Sequence, residues 1–265
     1  MKLGFFGAGK MAEGILSAVP DKSSVMMAEK VAARAAELTA KYGVRTTDDL
    51  RQVAAEADVI VLAVRPQDVP AVAAAVKGKL TAKQTLVSIV AGKTLAVLRK
   101  AFGPKVGLIR VMPNLALRAG AGMCALCPAP RTSKAHVAAI EGILGAAGAT
   151  VRLRERDFDA VTALSGSGPA YFAYMEQAMA EGGVALGLSP KVARLLAEQT
   201  MYGTAKFLRE SGMDLAAFVS GVCTKGGTTA AGMVHLAKPA FKKTVAKTLA
   251  AAAARSRELA GSAAR

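Results

Sequence analysis

Apolar positions in the first part of the chain alternate between two periods. "KLGFF" is a short apolar run that passes through a glycine turn into "KMAEGILSAV", where Met11, Ile15, Leu16 and Val19 are spaced to share one helical face. "SVMMAEK" reads as a second strand and "VAARAAELTAKYG" as a helix that Gly43 can close. "ADVIVLAVRP" is a buried strand ended by proline. "TLVSIVAG", "VGLIRVMPN" and "GAGMCALCPAP" continue the strand series, with alanine-rich helical stretches between several of them. Strands alternating with helices predict a mostly parallel, doubly wound α/β domain over residues 1–155.

After about Arg156 the period of two disappears. "PAYFAYMEQAMAEGGVALG", "SPKVARLLAEQTMYGTAKFLRES", "MDLAAFVSG" and "HLAKPAFKKTVAKTLAAAAARSREL" all read as helices. Ser189-Pro190 supplies an N-cap followed by proline in the first turn, and Gly187 ends the helix before it. An all-helical domain is therefore expected over residues 156–265. Its faces carry Phe172, Met175, Leu195, Leu196, Met201, Phe207 and Leu208, more apolar surface than one small bundle hides, so this half is expected to form a homodimer.

Two stretches carry chemistry. "GAGKMA", Gly7 to Ala12, fits the dinucleotide fingerprint directly after a strand and at the start of a helix, which makes the first domain Rossmann-like. The first glycine permits the tight turn, the second lets backbone N–H groups approach a pyrophosphate, and a small third residue lets helix and strand pack. Gly7, Ala8, Gly9, Lys10 and Met11 are thus expected at the cofactor. Glu29 ends the second strand where a carboxylate accepts hydrogen bonds from the adenosine ribose of NAD, but Lys30 follows it and suits the 2′-phosphate of NADP. The two signals conflict. Ala63, Val64, Arg65 and Pro66 of "LAVRPQDV" end the next strand at the carboxyl edge, where ligands of such sheets bind. The second stretch is "CTKGGTTAAGM", residues 223–233: successive N–H groups freed by two glycines at a helix start near Thr228 form a nest that fits a carboxylate.

Composition narrows the function classes. The 265 residues carry a formal charge of +16, yet Trp is absent, aromatics are sparse and no nucleic-acid recognition motif appears. The basic surface suits anions such as a phosphorylated cofactor and an acidic metabolite, and no nucleic-acid partner is expected. Apolar runs fall short of the roughly 20 residues that span a bilayer, and glycines and a glutamate break any signal-peptide core near the N-terminus. Three cysteines, Cys124, Cys127 and Cys223, point to a reducing compartment and, by default, the cytoplasm. Cys124 and Cys127 form one C-x-x-C without a second pair, and the two histidines, His136 and His235, are scattered. No metal is expected.

Taken together, "FFGAGKMAEGI", "LAVRPQDV", "SIVAGKTL", "RVMPN", "DAVTALSGSGPAYFAYMEQAMAEGGVALGL", "LAEQTMYGTAKFL" and "KGGTTAAGM" resemble the pyrroline-5-carboxylate reductase family in order and spacing over nearly the whole chain. The resemblance implies a dinucleotide domain followed by an interlocking helical dimerisation domain, with larger rings of dimers in some members. It implies reduction of 1-pyrroline-5-carboxylate, a cyclic imine acid, to L-proline, with NADPH the expected donor and NADH an alternative. Ala91, Gly92 and Asn114 join the cofactor residues on the same basis. Ser165, Gly166, Ser167 and Gly168 become the active-site wall, and Lys225, Gly226, Gly227 and Thr228 become the substrate-carboxylate loop. Thr229 lies near the ring nitrogen as the catalytic residue. Three departures touch substrate and cofactor preference: Leu115-Ala116 replace a threonine and a proline, Lys225 replaces a proline, and Leu50 stands where an asparagine often contacts the cofactor. Reduction of another cyclic imine acid and a non-catalytic nucleotide-binding role are the alternatives.

Overall fold

The computed structural model describes residues 1–262; the last three positions of the expected second domain lie outside the described residues. The first half holds β1 (Leu3–Phe6), α1 (Lys10–Ser17), β2 (Val25–Ala28), α2 (Ala32–Tyr42), β3 (Arg45–Thr47), α3 (Leu50–Glu56), β4 (Val59–Leu62), α4 (Val69–Ala75), β5 (Thr85–Ser88), α5 (Leu95–Phe102), β6 (Gly107–Pro113), β7 (Gly122–Pro128), α6 (Lys134–Ala146) and β8 (Gly148–Arg152). The strands form one sheet in the order β3-β2-β1-β4-β5-β6-β7-β8. Its switch of direction lies at β1, which pairs in parallel with β2 on one side and β4 on the other, Phe5 facing Met27 and Val61.

The period of two sorts the core. Phe5, Met27, Val61, Val87 and Ile109 pack on one face with Ile15 and Leu16 of α1, Leu38 of α2 and Ile140 of α6. Phe6, Ile60, Leu62, Leu86 and Leu108 pack on the other with Val53 of α3, Val72 of α4 and Leu98 of α5. Successive strand residues point to opposite faces, so each strand feeds both cores, and full burial of each large side chain contributes roughly 1.5–3 kcal/mol. β7 departs from the parallel series: it runs antiparallel to β6, with Val111 opposite Leu126, and β8 then pairs with it in parallel. The same alternation separates the C-x-x-C. Cys124 lies in the first core and Cys127 on the opposite face against Ala125 and Phe158, and burial pushes the Cys124 thiol up to about 12. Both are packing residues.

After β8 come α7 (Phe158–Val161), a π-helical turn at Thr162–Gly166, α8 (Gly168–Ala185), α9 (Pro190–Ser211), α10 (Leu215–Val222), α11 (Thr228–Leu236) and α12 (Pro239–Ser262). Two compact units result. Residues 1–167 associate with residues 252–262 of the described chain, and Gly168–Ala251 form the second. The division thus falls about a dozen residues beyond position 155, and the tail of α12 returns to the sheet unit. There the Ser256 hydroxyl donates to Asp159 Oδ1 at 2.7 Å, and a Cβ on Gly92 would meet Leu259 at 3.3 Å.

Within the second unit α8 and α9 pack along each other, with Gly183 letting Ala193 approach. Ser189 caps α9 through Val192 N–H, Gly212 ends it at φ 63, and Asp214 caps α10 through the N–H groups of Ala216 and Ala217. Among the described residues no helix is long and apolar enough to cross a membrane.

Candidate functional site

The glycine turn between β1 and α1 is dictated by space. Gly7 sits at φ +96, and a Cβ there would fall 2.7 Å from Ala63 O, so only glycine fits. Gly9 differs: a Cβ would meet nothing within 4 Å, because its open side faces a cleft. Gly9 is also the N-cap of α1 and has no side chain to occupy the first-turn N–H groups, which leaves them for an anion.

A brace stands behind this turn. Glu13, 7% exposed on α1, accepts hydrogen bonds from Arg34 Nη2 at 2.6 Å, Lys41 Nζ at 2.9 Å and Tyr42 Oη at 3.0 Å, all on α2. Arg34 Nε also donates to Ala8 O at 3.1 Å, which ties the turn to α2. The hydrogen bonds from Arg34 and then Lys41 hold the Glu13 carboxyl at about 2, against the cost of burial.

The cleft beyond the turn measures about 580 Å3. It is lined by the glycine-turn residues Gly7, Ala8 and Gly9, by Ala63 and Val64, and by Glu29, Lys30, Asp48, Leu50, Arg65 and Asp68. These residues suit a dinucleotide: an uncapped helix start for the pyrophosphate and a polar end for the ribose. The sequence reading did not include Asp48, Asp68 or the small face of α4 formed by Ala71, Val72 and Ala75. The spacing of those three on α4 was the available signal.

A second cavity of about 320 Å3 opens at the carboxyl ends of the central strands, lined by Met11, Ala63, Val64, Ile89, Ala91, Met112, Pro113, Asn114, Leu115 and Gly166. No acid, base or nucleophile is among them. Asn114 has a fixed orientation: its Oδ1 accepts Met123 N–H at 3.1 Å, which turns Nδ2 toward Ser165 Oγ at 3.4 Å. Ser165 belongs to the π-helical turn, closed by Ser167 N–H to Thr162 O at 2.9 Å, a form of helix that recurs at functional sites. A Cβ on Gly166 would lie 2.4 Å from Met112 Cε, so glycine keeps the cavity wall thin. Lys10, Pro66 and Gly92 line neither cavity: Lys10 opens α1, Pro66 begins a short turn, and Gly92 packs on Leu259.

The approach to the π-helical turn is anchored by a buried charge. Arg110 of β6, 6% exposed, donates from Nη1 to Glu155 Oε1 at 3.0 Å and lies 4.6 Å from the centre of the Phe158 ring. The same Glu155 oxygen accepts Leu95 N–H at the start of α5. One carboxylate thus joins the sheet, α5 and the segment leading to Ser165.

In the second unit, "TKGG" is a tight turn. Gly227 N–H donates to Thr224 O at 3.0 Å and Gly226 adopts φ +75, the conformation a type II turn requires at its third position. Lys225 therefore occupies the second position, which proline favours by its fixed φ. A Cβ on Gly227 would fall 2.5 Å from Thr224 Oγ1. Gly227 is the N-cap of α11 without a side-chain cap, and the hydroxyls of Thr228 and Thr229 make no hydrogen bond among the described residues. Thr229 is not spent on capping the helix. Gly168, at the far side of the π-helical turn, is the buried first residue of α8.

Residues 155–259 match the family model described as pyrroline-5-carboxylate reductase dimerisation, and residues 2–92 match one described as NADP oxidoreductase, coenzyme F420-dependent. A pyrroline-5-carboxylate reductase of Synechocystis sp. is 37% identical over 264 residues, covering 98% of both chains. The chain belongs to the pyrroline-5-carboxylate reductase family. The Arabidopsis thaliana pyrroline-5-carboxylate reductase is 36% identical over 97% of this chain and 95% of its own. Among solved structures, the Coxiella burnetii reductase superposes with a TM-score of 0.92 at 31% identity, covering 97% of this chain and 98% of its own. The Plasmodium falciparum pyrroline carboxylate reductase with NADP bound gives 0.86 at 27%, covering 98% of each. As a member of this family the chain is an oxidoreductase whose helical half serves dimerisation. Two of its departures fall on cavity walls: Leu50 lines the first cleft and Leu115, 55% exposed, the second.

Proposed function

We propose that this chain reduces 1-pyrroline-5-carboxylate to L-proline with hydride from NADPH, NADH serving as alternative donor, in the cytoplasm and as a dimer that builds into a ring of dimers. The observation that carries this reading is the second cavity, apolar and without an ionisable side chain, beside a glycine turn suited to a dinucleotide. Reduction of a cyclic imine needs a hydride, a hold on the acid group and a proton on nitrogen, but no nucleophile. The bound nicotinamide supplies the hydride.

The protein's part is positioning. Gly7, Ala8 and Gly9 would hold the pyrophosphate at the start of α1, and Asn114, whose Nδ2 is turned toward Ser165, presents a polar group in an otherwise apolar pocket. Gly226 and Thr228 offer N–H groups at the start of α11 to the substrate carboxylate, while the Gly227 N–H closes the turn on Thr224 O. The imine enters protonated, and the Thr229 hydroxyl, which makes no hydrogen bond among the described residues, accepts from the ring N–H. Hydride then adds to the ring carbon, the C=N double bond becomes single, and its electron pair stays on nitrogen as the amine.

Purified protein given 1-pyrroline-5-carboxylate and each reduced nicotinamide should oxidise the cofactor and yield proline. Oxidation of neither would overturn the proposal. Leu115 in the cavity wall and Lys225 in the loop turn favour a second reading, reduction of a different cyclic imine acid, for which activity only on a six-membered ring would decide.

A further inference from the structure

"AAAARSREL", residues 251–259, puts small residues on one side of α12 and charges on the other. Arg255, Arg257 and Glu258 are exposed, with Arg255 Nη1 donating to Glu258 Oε2 at 2.8 Å. Ala252 and Ala253 are half-buried, and Ser256, which shares their side, is only 5% exposed. A hydroxyl so deeply enclosed needs a partner. Ser256 Oγ donates to Asp159 Oδ1 at 2.7 Å, a bond strengthened by the carboxylate that accepts it. Asp159 is itself half-buried and pairs with no cation among the described residues, so the serine is what holds it.

Asp159 lies on α7, and the π-helical turn Thr162–Gly166 follows directly. This uncommon form is held from within by Thr162 Oγ1 donating to Phe158 O at 2.8 Å and by Ser167 N–H donating to Thr162 O. Ser256 adds a hold from outside. About one turn further along α12, Leu259 lies against Gly92, whose φ is +72; a Cβ there would fall 3.3 Å from Leu259 Cβ. Ser256, Asp159, Leu259 and Gly92 all belong to the sheet unit, and none of them lines the second cavity. The residues beside their contacts do: Gly166 ends the π-helical turn, and Ala91 precedes Gly92. A single turn of helix thus grips two segments, distant in sequence, that each supply part of the cavity wall.

We propose that Ser256 and Asp159 are positioning residues for hydride transfer: the end of α12 is a clasp that holds α7 and its π-helical turn together with the loop after β5, and so fixes the walls that Gly166 and Ala91 give the cavity. The clasp rests on the reading that this cavity receives the nicotinamide and the cyclic imine.

The test is turnover of the full chain with 1-pyrroline-5-carboxylate and NADPH, the latter either ordinary or deuterated at both C4 positions of the nicotinamide, with NADPH binding followed by calorimetry. Ser256→Ala and Asp159→Ala are each expected to lower kcat about tenfold and to raise the deuterium effect on kcat, with NADPH affinity within about twofold. Misplaced reactants slow the hydride step itself, whereas a loss of folded protein lowers kcat and leaves the isotope effect where it was. Alanine favours a helix, so Ser256→Ala does not endanger α12. Asp159→Asn keeps an oxygen for the Ser256 hydroxyl and should restore kcat to within about threefold of the unaltered chain. The double alanine variant should be no slower than either single one, because both remove the same bond. Glu258→Gln, on the exposed side of the same turn, should change nothing. An unmoved kcat, a fall in kcat with an unmoved isotope effect, or alanine effects that multiply would overturn the clasp. Turnover by the unaltered chain with unmoved variants removes the clasp alone, whereas no turnover by the unaltered chain removes the reading of the cavity and the clasp with it.

Discussion

The two compact units bury different things. In the sheet unit Phe5, Phe6 and Phe158 are fully enclosed, with aliphatic cores on both faces of the sheet. In the second unit, Gly168–Ala251, the buried residues are Gly168, Ala193 and Ala197, one glycine and two alanines. Phe172 is 66% exposed, Leu195 62% and Tyr202 62%. The first unit has a complete core. The second has helices with good caps and an apolar surface that nothing among the described residues covers, as expected of a family whose helical domain pairs with another copy. Propensity and capping can set helices locally, but a core of this kind needs a second chain.

The largest test of that contrast introduces charge on the open faces. Phe172→Glu combined with Leu195→Glu should abolish assembly and turnover, while NADP+ binding by the sheet unit stays within about twofold. Light scattering and calorimetry on one preparation would read both.

A change inside the sheet unit should behave in the opposite way. Arg110→Ala leaves the half-buried Glu155 carboxylate without its partner and removes the buried cation stacked on Phe158, and should lower unfolding stability by about 2 kcal/mol in denaturant titration. Loss of assembly without loss of stability would contradict the division of labour.

Smaller again is the pH response of the brace. The Glu13 carboxyl is lowered in the folded chain from 4.5 to about 2, so its stabilisation is fully present above about 4.5 and is lost as pH falls toward 2. The contribution is on the order of 2–3 kcal/mol. Glu13→Gln should cost about that much at pH 7, and the difference from the unaltered chain should close near pH 2; a pH-independent difference would remove the charge from the account. The smallest effect is expected at the loop: Thr229→Ala should lower turnover or raise KM by more than tenfold, above about 1.4 kcal/mol, with folding and assembly intact. Near-normal kinetics would take Thr229 out of the mechanism.

The sequence revealed most where interactions are local. The passage from "KLGFF" through "GAG" to α1 is a change of period within a dozen residues, and the Gly43 and Ser189 caps act within one turn. What stayed hidden depends on distant partners. β3 has three residues, none of them buried, too few to show alternation. β7 is a buried apolar run that reads the same whether its neighbour is parallel or antiparallel. The return of α12 to the sheet rests on Ser256 meeting Asp159, 97 positions earlier. At the site, the glycine turn and the "TKGG" turn were legible because backbone geometry demands glycine. Asp48 and Asp68 were not, because ordinary charged residues join the cleft only through the fold.

The helical unit is completed by another copy of this chain, and the reductase works in that state. Light scattering across a dilution series, with turnover measured at each concentration, tests it most directly. At least twice the chain mass is expected at micromolar concentration, with specific activity falling wherever dilution lowers that mass. A monomer at micromolar concentration with full activity would contradict it.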